Sequence, residues 1–334
     1  MSKKHLVVLA VTLVLLVPGG AFGAGAPEEE FRMRMSTNLG PEGTVGKALT
    51  HLGELIEERS EGRIATVVNH GAEMGTQHEQ VEMAMDGSLE LGVFSPGTAL
   101  GPYVEQLALF DLSYVYEDEE HYVRTIRGIE DEVSRLLEPY NLMAVGGQNM
   151  GFRHMLIEPR PVYRPQDLEG LVMRGPNPMY VAMFEAFGAD GVTTDWTEIY
   201  TALQTGVIDG MEASPDMILS MRFHEVANHL SLTNHQPAGV FYFINTDWLD
   251  SLPEDLQELV LDTARDAADY QIELDRVAQE EALQTLIDEG VEVNEVADIS
   301  EFMEKVEGLH EEYVQRGPHW EDFYNKLLEA GAAN

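Results

Sequence analysis

Apolar positions along the chain switch repeatedly between helical and strand spacing. From Thr44 to Ser60 they fall at Val45, Leu49, Leu52 and Ile56, one face of a helix, and Gly62 follows its end. Ile64 to Val68 is rich in β-branched residues and reads as a strand. Thr76 and Glu79 stand in the relation of a capping box, opening a helix through Met85 that Gly87 closes. Leu89 to Phe94 reads as a short buried strand ending at Ser95, Pro96 and Gly97. Asn177 caps a helix with Pro178 in its first turn and Gly188 at its end. Asp195 with Glu198 opens another helix, closed by Gly206, and Val207 to Gly210 is again strand-like. This repeated β-α alternation predicts an α/β fold with mainly parallel sheet.

The stretch from Pro253 to Glu289 differs. It has no internal Gly or Pro and is rich in Leu, Ala, Glu and Gln, so it predicts one long helix or two joined end to end, stopped by Gly290. Such a helix could brace two lobes or lie on the surface of one. No linker rich in Ser or Pro divides the chain. If there are two lobes, ordered hinge strands must join them, and residues 144–151 and 239–245 are the candidates.

The first residues carry a different pattern. Lys3 and Lys4 precede an uncharged, mostly aliphatic run from Leu6 to Val17, broken by Pro18, Gly19 and Gly20, with Ala21, Gly23 and Ala24 beyond. A basic start, short apolar core and small-residue exit predict a secretory signal peptide over residues 1–23, cleaved after Gly23. The run is shorter than the roughly 20 residues that span a bilayer. The chain has no Cys, which excludes disulfides, thiolate metal sites, cysteine nucleophiles and a lipid anchor through Cys.

Charge narrows the partners. There are 59 Asp and Glu against 20 Lys and Arg, a formal net charge of −39. Phosphate backbones would be repelled, so no nucleic-acid partner is expected. At 44% hydrophobic residues the chain is not a disordered acidic tail. A carboxylate surface this dense suits high salt, where self-repulsion is screened.

Enzyme motifs fail on spacing. His224 and His229 flank Glu225 as in a zinc-protease helix, but lie five residues apart, which turns the second about 140° from the first. Gly40, Gly43, Gly46 and Lys47 lack the spacing of a Walker A loop, and Ala48 stands where Ser or Thr is needed. No G-x-S-x-G and no G-x-G-x-x-G is present.

The informative region runs from Gly151 to Pro215. Arg174 ends a predicted strand just before the helix capped by Asn177. Its guanidinium can hold a carboxylate by two parallel hydrogen bonds, and the helix start adds free N–H groups and partial positive charge. Ligands of open α/β sheets bind at the carboxyl ends of strands, where this arginine stands. The alternative is a structural salt bridge with one of the many protein carboxylates.

Several blocks carry a family resemblance. They are Gly151-Phe152-Arg153-His154, Arg164 to Arg174, Phe184 to Ala189, and Trp196 through Asp209-Gly210. Leu109-Phe110-Asp111-Leu112 followed by Glu119-Glu120-His121, and Trp248 with Ser251-Leu252-Pro253, add to them. Together they resemble the substrate-binding proteins of TRAP transporters, the tripartite ATP-independent periplasmic systems, over nearly all of the mature chain.

The resemblance implies two α/β lobes of the periplasmic binding protein type, hinge strands, and a long helix across both lobes. It places the first lobe at residues 24–150 with 240–275 returning to it. The second lobe is residues 151–239, with 276–334 packing across both. The ligand, a small carboxylate-bearing molecule, would sit between the lobes. Arg174 matches the main carboxylate-binding arginine, and Arg153 a second one. Asn177 falls at the polar position after the main arginine. Trp196 matches an aromatic that packs on the ligand, or else belongs to lobe core. Phe94, Ser95 and Asn38 are expected on the first lobe's side of the cleft. After Asp209-Gly210 many members read Gln-Glu-Asn-Pro, whose Asn contacts ligand. Here the run is Met211-Glu212-Ala213-Ser214-Pro215, so Glu212 is kept and Ser214 is the shorter polar candidate.

The implied function is periplasmic capture of an organic acid and delivery to two TRAP membrane subunits. No catalysis or cofactor is implied; some members bind a ligand together with a metal ion, but no residue here commits to one, and the protein is expected to be a monomer. A sugar acid or zwitterionic compatible solute, and a chemosensory role, are the alternatives.

Overall fold

The structure, a computed structural model, describes residues 30–332. The expected signal peptide, residues 1–23, lies outside the described residues. One nine-stranded sheet runs through the molecule, in the order β2-β1-β3-β8-β4-β7-β5-β6, with β9 also paired to β8. The strands are β1 (Phe31–Thr37), β2 (Ile64–His70), β3 (Leu91–Phe94), β4 (Leu142–Ile157), β5 (Val172–Gly175), β6 (Asp190–Thr193), β7 (Gly210–Ala213), β8 (His229–Asn245) and β9 (Glu292–Glu295). The helices are α1 (Thr44–Arg59), α2 (Gln77–Asp86), α3 (Pro96–Leu100), α4 (Glu119–Gly128), α5 (Glu130–Leu137), α6 (Pro178–Phe187), α7 (Ile199–Gln204), α8 (Pro215–Ser220), α9 (Thr246–Ser251), α10 (Glu254–Asp288), α11 (Ile299–Val314) and α12 (Pro318–Ala332).

The local signals act as their chemistry requires. Thr76 and Glu79 form the capping box of α2, and Gly87 ends it in the left-handed conformation that a glycine adopts without a Cβ clash. Asn177 caps α6 through bonds from the backbone N–H groups of Met179 and Tyr180. Two expectations need correction. The sheet is mixed: β3-β8, β8-β4 and β4-β7 are antiparallel, while the two ends and the β8-β9 pair are parallel. The strand expected at Val207 starts at Gly210 instead. Asp209 precedes it, and its backbone N–H and Oδ2 bridge to Val172 at 2.8 Å each, while Val207 is exposed.

β4 and β8 make this one sheet serve two lobes. Residues 142–149 of β4 pair with 239–245 of β8, and residues 152–157 pair with 229–237. The C-terminal half of β8 also carries β3, with β1 and β2 beyond. Its N-terminal half pairs with β9, and the matching half of β4 carries β7, β5 and β6. Between the halves the β4-β8 register shifts, and Pro237 of β8 sits at that irregularity, where no regular ladder bond is lost.

The architecture is therefore α/β and two-lobed. α10 spans it: at 1.5 Å per residue its 35 residues reach about 52 Å. It packs on α1 at one end of the sheet, on β4 in the middle and on α8 at the other end. Close approach to β4 is possible because Gly146 and Gly151 adopt positive φ there. A Cβ on Gly146 would meet Ala268 at 2.9 Å, and one on Gly151 would meet Gln279 at 2.5 Å.

Candidate functional site

The carboxyl ends of β1, β3, β5 and β6 converge on one cleft, floored by the irregular middle of β4 and β8. It holds about 630 Å³ of space between its walls, open solvent included. Of the residues expected there, Asn38, Ser95, Arg153, Arg174 and Trp196 line it.

Arg174 stands in the cleft wall at 3% exposure. Its Nε donates to the carbonyl of Thr194 at 2.9 Å, and its guanidinium lies 5.8 Å from the Trp196 ring centroid. Nη1 is buried with no hydrogen-bond partner among the described residues. Burial pulls its pKa down to about 10; Arg153 acts in the same direction and Glu212 opposes. It thus stays cationic at neutral pH. Among the described residues Arg174 forms no salt bridge, the alternative left open by the sequence. A buried cation with a free edge facing a cleft is a strong site for an anion.

Arg153 is built differently. Its Nε and Nη2 donate to the carboxylate of Glu212, Nη2 bonds the Glu212 carbonyl at 2.9 Å, and Tyr180 lies 5.6 Å below the guanidinium. Burial pulls its pKa down, but Glu212 more than offsets this and the net shift is upward. Glu212 has 0% exposure; burial pushes its pKa up, and Arg153 together with His235 more than reverses that. Glu212 therefore stands behind Arg153 rather than in the cleft lining.

Three other expected residues also lie outside the lining. Phe94 is fully buried and stacked on Phe243 with centroids 6.0 Å apart, so it is core, while the next residue, Ser95, turns to the cleft. Asn177 uses its Oδ1 to cap α6 and its Nδ2 to donate to Asp111 and Thr98, so both ends of its amide are already engaged. Ser214 is fully buried at the start of α8, with its Oγ unpartnered among the described residues. Trp196 meets both core and cleft. It packs edge-to-face on Phe223 at 5.1 Å and lines the cleft, with its Nε1 buried and unpartnered.

The sequence reading missed Gln77, Thr98, Asp111, Tyr122 and Tyr180, all in the cleft wall. Asp111 lay inside a motif already singled out, but nothing in one dimension places it in the cleft wall. The His224 and His229 pair separates: His224 meets Glu289 at 2.6 Å, and His229 begins β8 and meets Glu292 at 3.5 Å. Among the described residues no group of His, Asp and Glu is arranged to hold a metal ion.

The family model of DctP, described as bacterial extracellular solute-binding protein, family 7, matches residues 35–316. The chain belongs to this family. A TRAP periplasmic solute-binding protein of Chromohalobacter salexigens with bound D-glucuronate superposes with a TM-score of 0.85 at 29% identity, covering 89% of this chain and 99% of that one. A second, from Sulfitobacter with bound β-D-galacturonate, gives 0.83 at 26% identity over 89% of this chain and 99% of that one. The C4-dicarboxylate-binding periplasmic protein DctP of Rhodobacter capsulatus is 27% identical over 92% of this chain and 91% of its own length. This DctP-family chain is thus a solute-binding protein of the TRAP type, a class that binds and delivers rather than transforms. Among the described residues no helix is long and apolar enough to cross a membrane.

Proposed function

We propose that the protein is secreted to the periplasm, captures a small organic acid in the cleft and delivers it to the two membrane subunits of a TRAP transporter. One observation carries the carboxylate: the buried, unpartnered Nη1 of Arg174 in the cleft wall. The ligand carboxylate accepts from that edge, and Trp196 Nε1 supplies a second unused donor beside it. Arg153, fixed by Glu212, adds cationic field without needing to move.

In this reading residues 24–150 with 240–275 form one lobe, and residues 151–239 form the other, with 276–334 packed across both. The positive-φ glycines and register shifts of β4 supply the hinge. The contacts of α11 with α6 and of α12 with α4 support the placement of the C-terminal segment. Ligand contacts to both lobes stabilise the closed form by as much as the two forms differ in affinity.

A thermal-shift screen of ligand-stripped protein tests this reading. The panel holds succinate, 2-oxoacids, aromatic acids, sugar acids, ectoine and neutral sugars. A ligand at about 100 times its dissociation constant adds about 2.7 kcal/mol, which is visible as a raised melting temperature. Stabilisation by a carboxylate class and not by neutral sugars is expected. Stabilisation by neutral sugars alone would remove Arg174 from the site.

A further inference from the structure

Asp111 is a cleft residue that anion capture alone does not require. It ends a 3-10 turn over Glu105–Asp111, is 6% exposed, and shares the cleft wall with Arg153 and Arg174. Its two side-chain hydrogen bonds both end on Oδ2, from Asn177 Nδ2 at 2.6 Å and Thr98 Oγ1 at 3.3 Å. Oδ1 accepts no side-chain hydrogen bond among the described residues, and no Lys or Arg there pairs with Asp111. The fold makes room for the carboxyl: a Cβ on Gly97 would collide with it. Burial pushes its pKa up to about 7, with Asn177 and Arg153 acting the other way, as expected of a carboxylate short of partners.

The cleft therefore presents two unfilled groups of opposite demand. Arg174 asks for an anion, whereas Asp111 in its ionised form asks for a hydrogen-bond donor, and a ligand donor favours that form. A dicarboxylate satisfies the first and brings a second negative charge toward an acceptor. A hydroxylated monocarboxylate satisfies both. A ligand ammonium would also suit Asp111, so a zwitterion is the competing occupant that the titration below separates. Both ligand classes occur among the relatives: two hold hexuronates, and another is named for C4-dicarboxylates.

We propose that Asp111 is a specificity-determining residue that accepts a ligand hydroxyl, so that the cleft selects sugar acids over C4-dicarboxylates. This rests on the carboxylate reading above and deepens it. A site whose buried acceptor needs a donor rejects the analogue that lacks one.

Calorimetric titration of the ligand-stripped full chain tests it. The probes are D-glucuronate, D-galacturonate and D-galactonate against succinate, fumarate and ectoine, on wild type and Asp111→Asn. A hydrogen bond to a charged group is worth about tenfold to 100-fold in affinity. The expected result is that at least one sugar acid binds the wild type about 100-fold more tightly than either dicarboxylate, and that Asp111→Asn narrows this ratio by about tenfold or more. An unchanged ratio in the folded variant overturns the proposal. So does tighter wild-type binding of succinate, fumarate or ectoine, a comparison that does not depend on the variant folding. Tight dicarboxylate binding would leave the carboxylate reading standing. Failure of every carboxylate to bind would remove both.

Discussion

Arg153 and Arg174 share one cleft, but only Arg153 has a carboxylate partner. Removing one member of a buried ion pair leaves the other charge uncompensated, at a cost of about 3–5 kcal/mol. Glu212→Gln is therefore expected to lower the stability of the ligand-free protein by that order, read from urea unfolding. A loss under about 1 kcal/mol, the range of exposed pairs, would mean that Arg153 finds solvent without Glu212. The roles of single residues were only partly legible in the sequence. Arg174 could be placed because strand end, arginine and helix cap follow one another within four residues. Phe94, Glu212 and Ser214 could not. Sequence gives their order along a strand or turn, but not whether the side chain meets the cleft, the core or the back of another residue. Asp111 was hidden for a further reason: its Asn177 and Thr98 partners lie 66 and 13 residues away.

Among the elements, the decisive ones are β4, β8 and the long helix α10. Asp275 of α10 ties them to the first helix. Its Oδ2 accepts from Asn149 of β4 at 3.0 Å, and its Oδ1 from Gln279 at 2.7 Å and from Thr44 of α1 at 3.3 Å. Burial pushes the Asp275 pKa up to about 8, with Glu119 and Asp216 adding to the rise and the bonds from Gln279 and Thr44 opposing it. The folded state then holds this proton more tightly than the unfolded chain, whose value is about 3.9. Stability from this group is thus full below about pH 4 and declines as pH rises toward 8, by at most about 1.4 kcal/mol per pH unit. Asp275→Asn should flatten that slope between pH 5 and pH 8, in urea unfolding at several pH values. Equal slopes in both proteins would show that Asp275 ionises freely in the fold. Helix caps and glycine stops made most helix boundaries legible. β9, four half-buried or exposed residues with no apolar face of its own, left no periodic signal.

For the whole molecule, β-α alternation gave the α/β class, but periodicity does not record strand direction. The antiparallel centre made by β4 and β8 was therefore invisible, although both hinge stretches fall within those strands. Global charge is the other whole-molecule property. At −39 the fold works against its own repulsion. Going from about 0.1 M to about 1 M NaCl shortens the screening length from about 10 Å to about 3 Å. The melting temperature is expected to climb over that range, and a flat or falling curve would show that the acidic surface is not adapted to salt.

The central claim is that Arg174 captures a ligand carboxylate. Calorimetric titration of stripped wild type and Arg174→Ala with D-glucuronate, beside neutral D-glucose, tests it most directly. Truncating one partner of a desolvated charge pair costs about 2–5 kcal/mol, or about 30-fold to several thousand-fold in affinity. The account predicts that wild type binds the acid and not the neutral sugar, and that the variant loses the acid by that factor while keeping its fold. Equal affinity for D-glucuronate in the two proteins would contradict it.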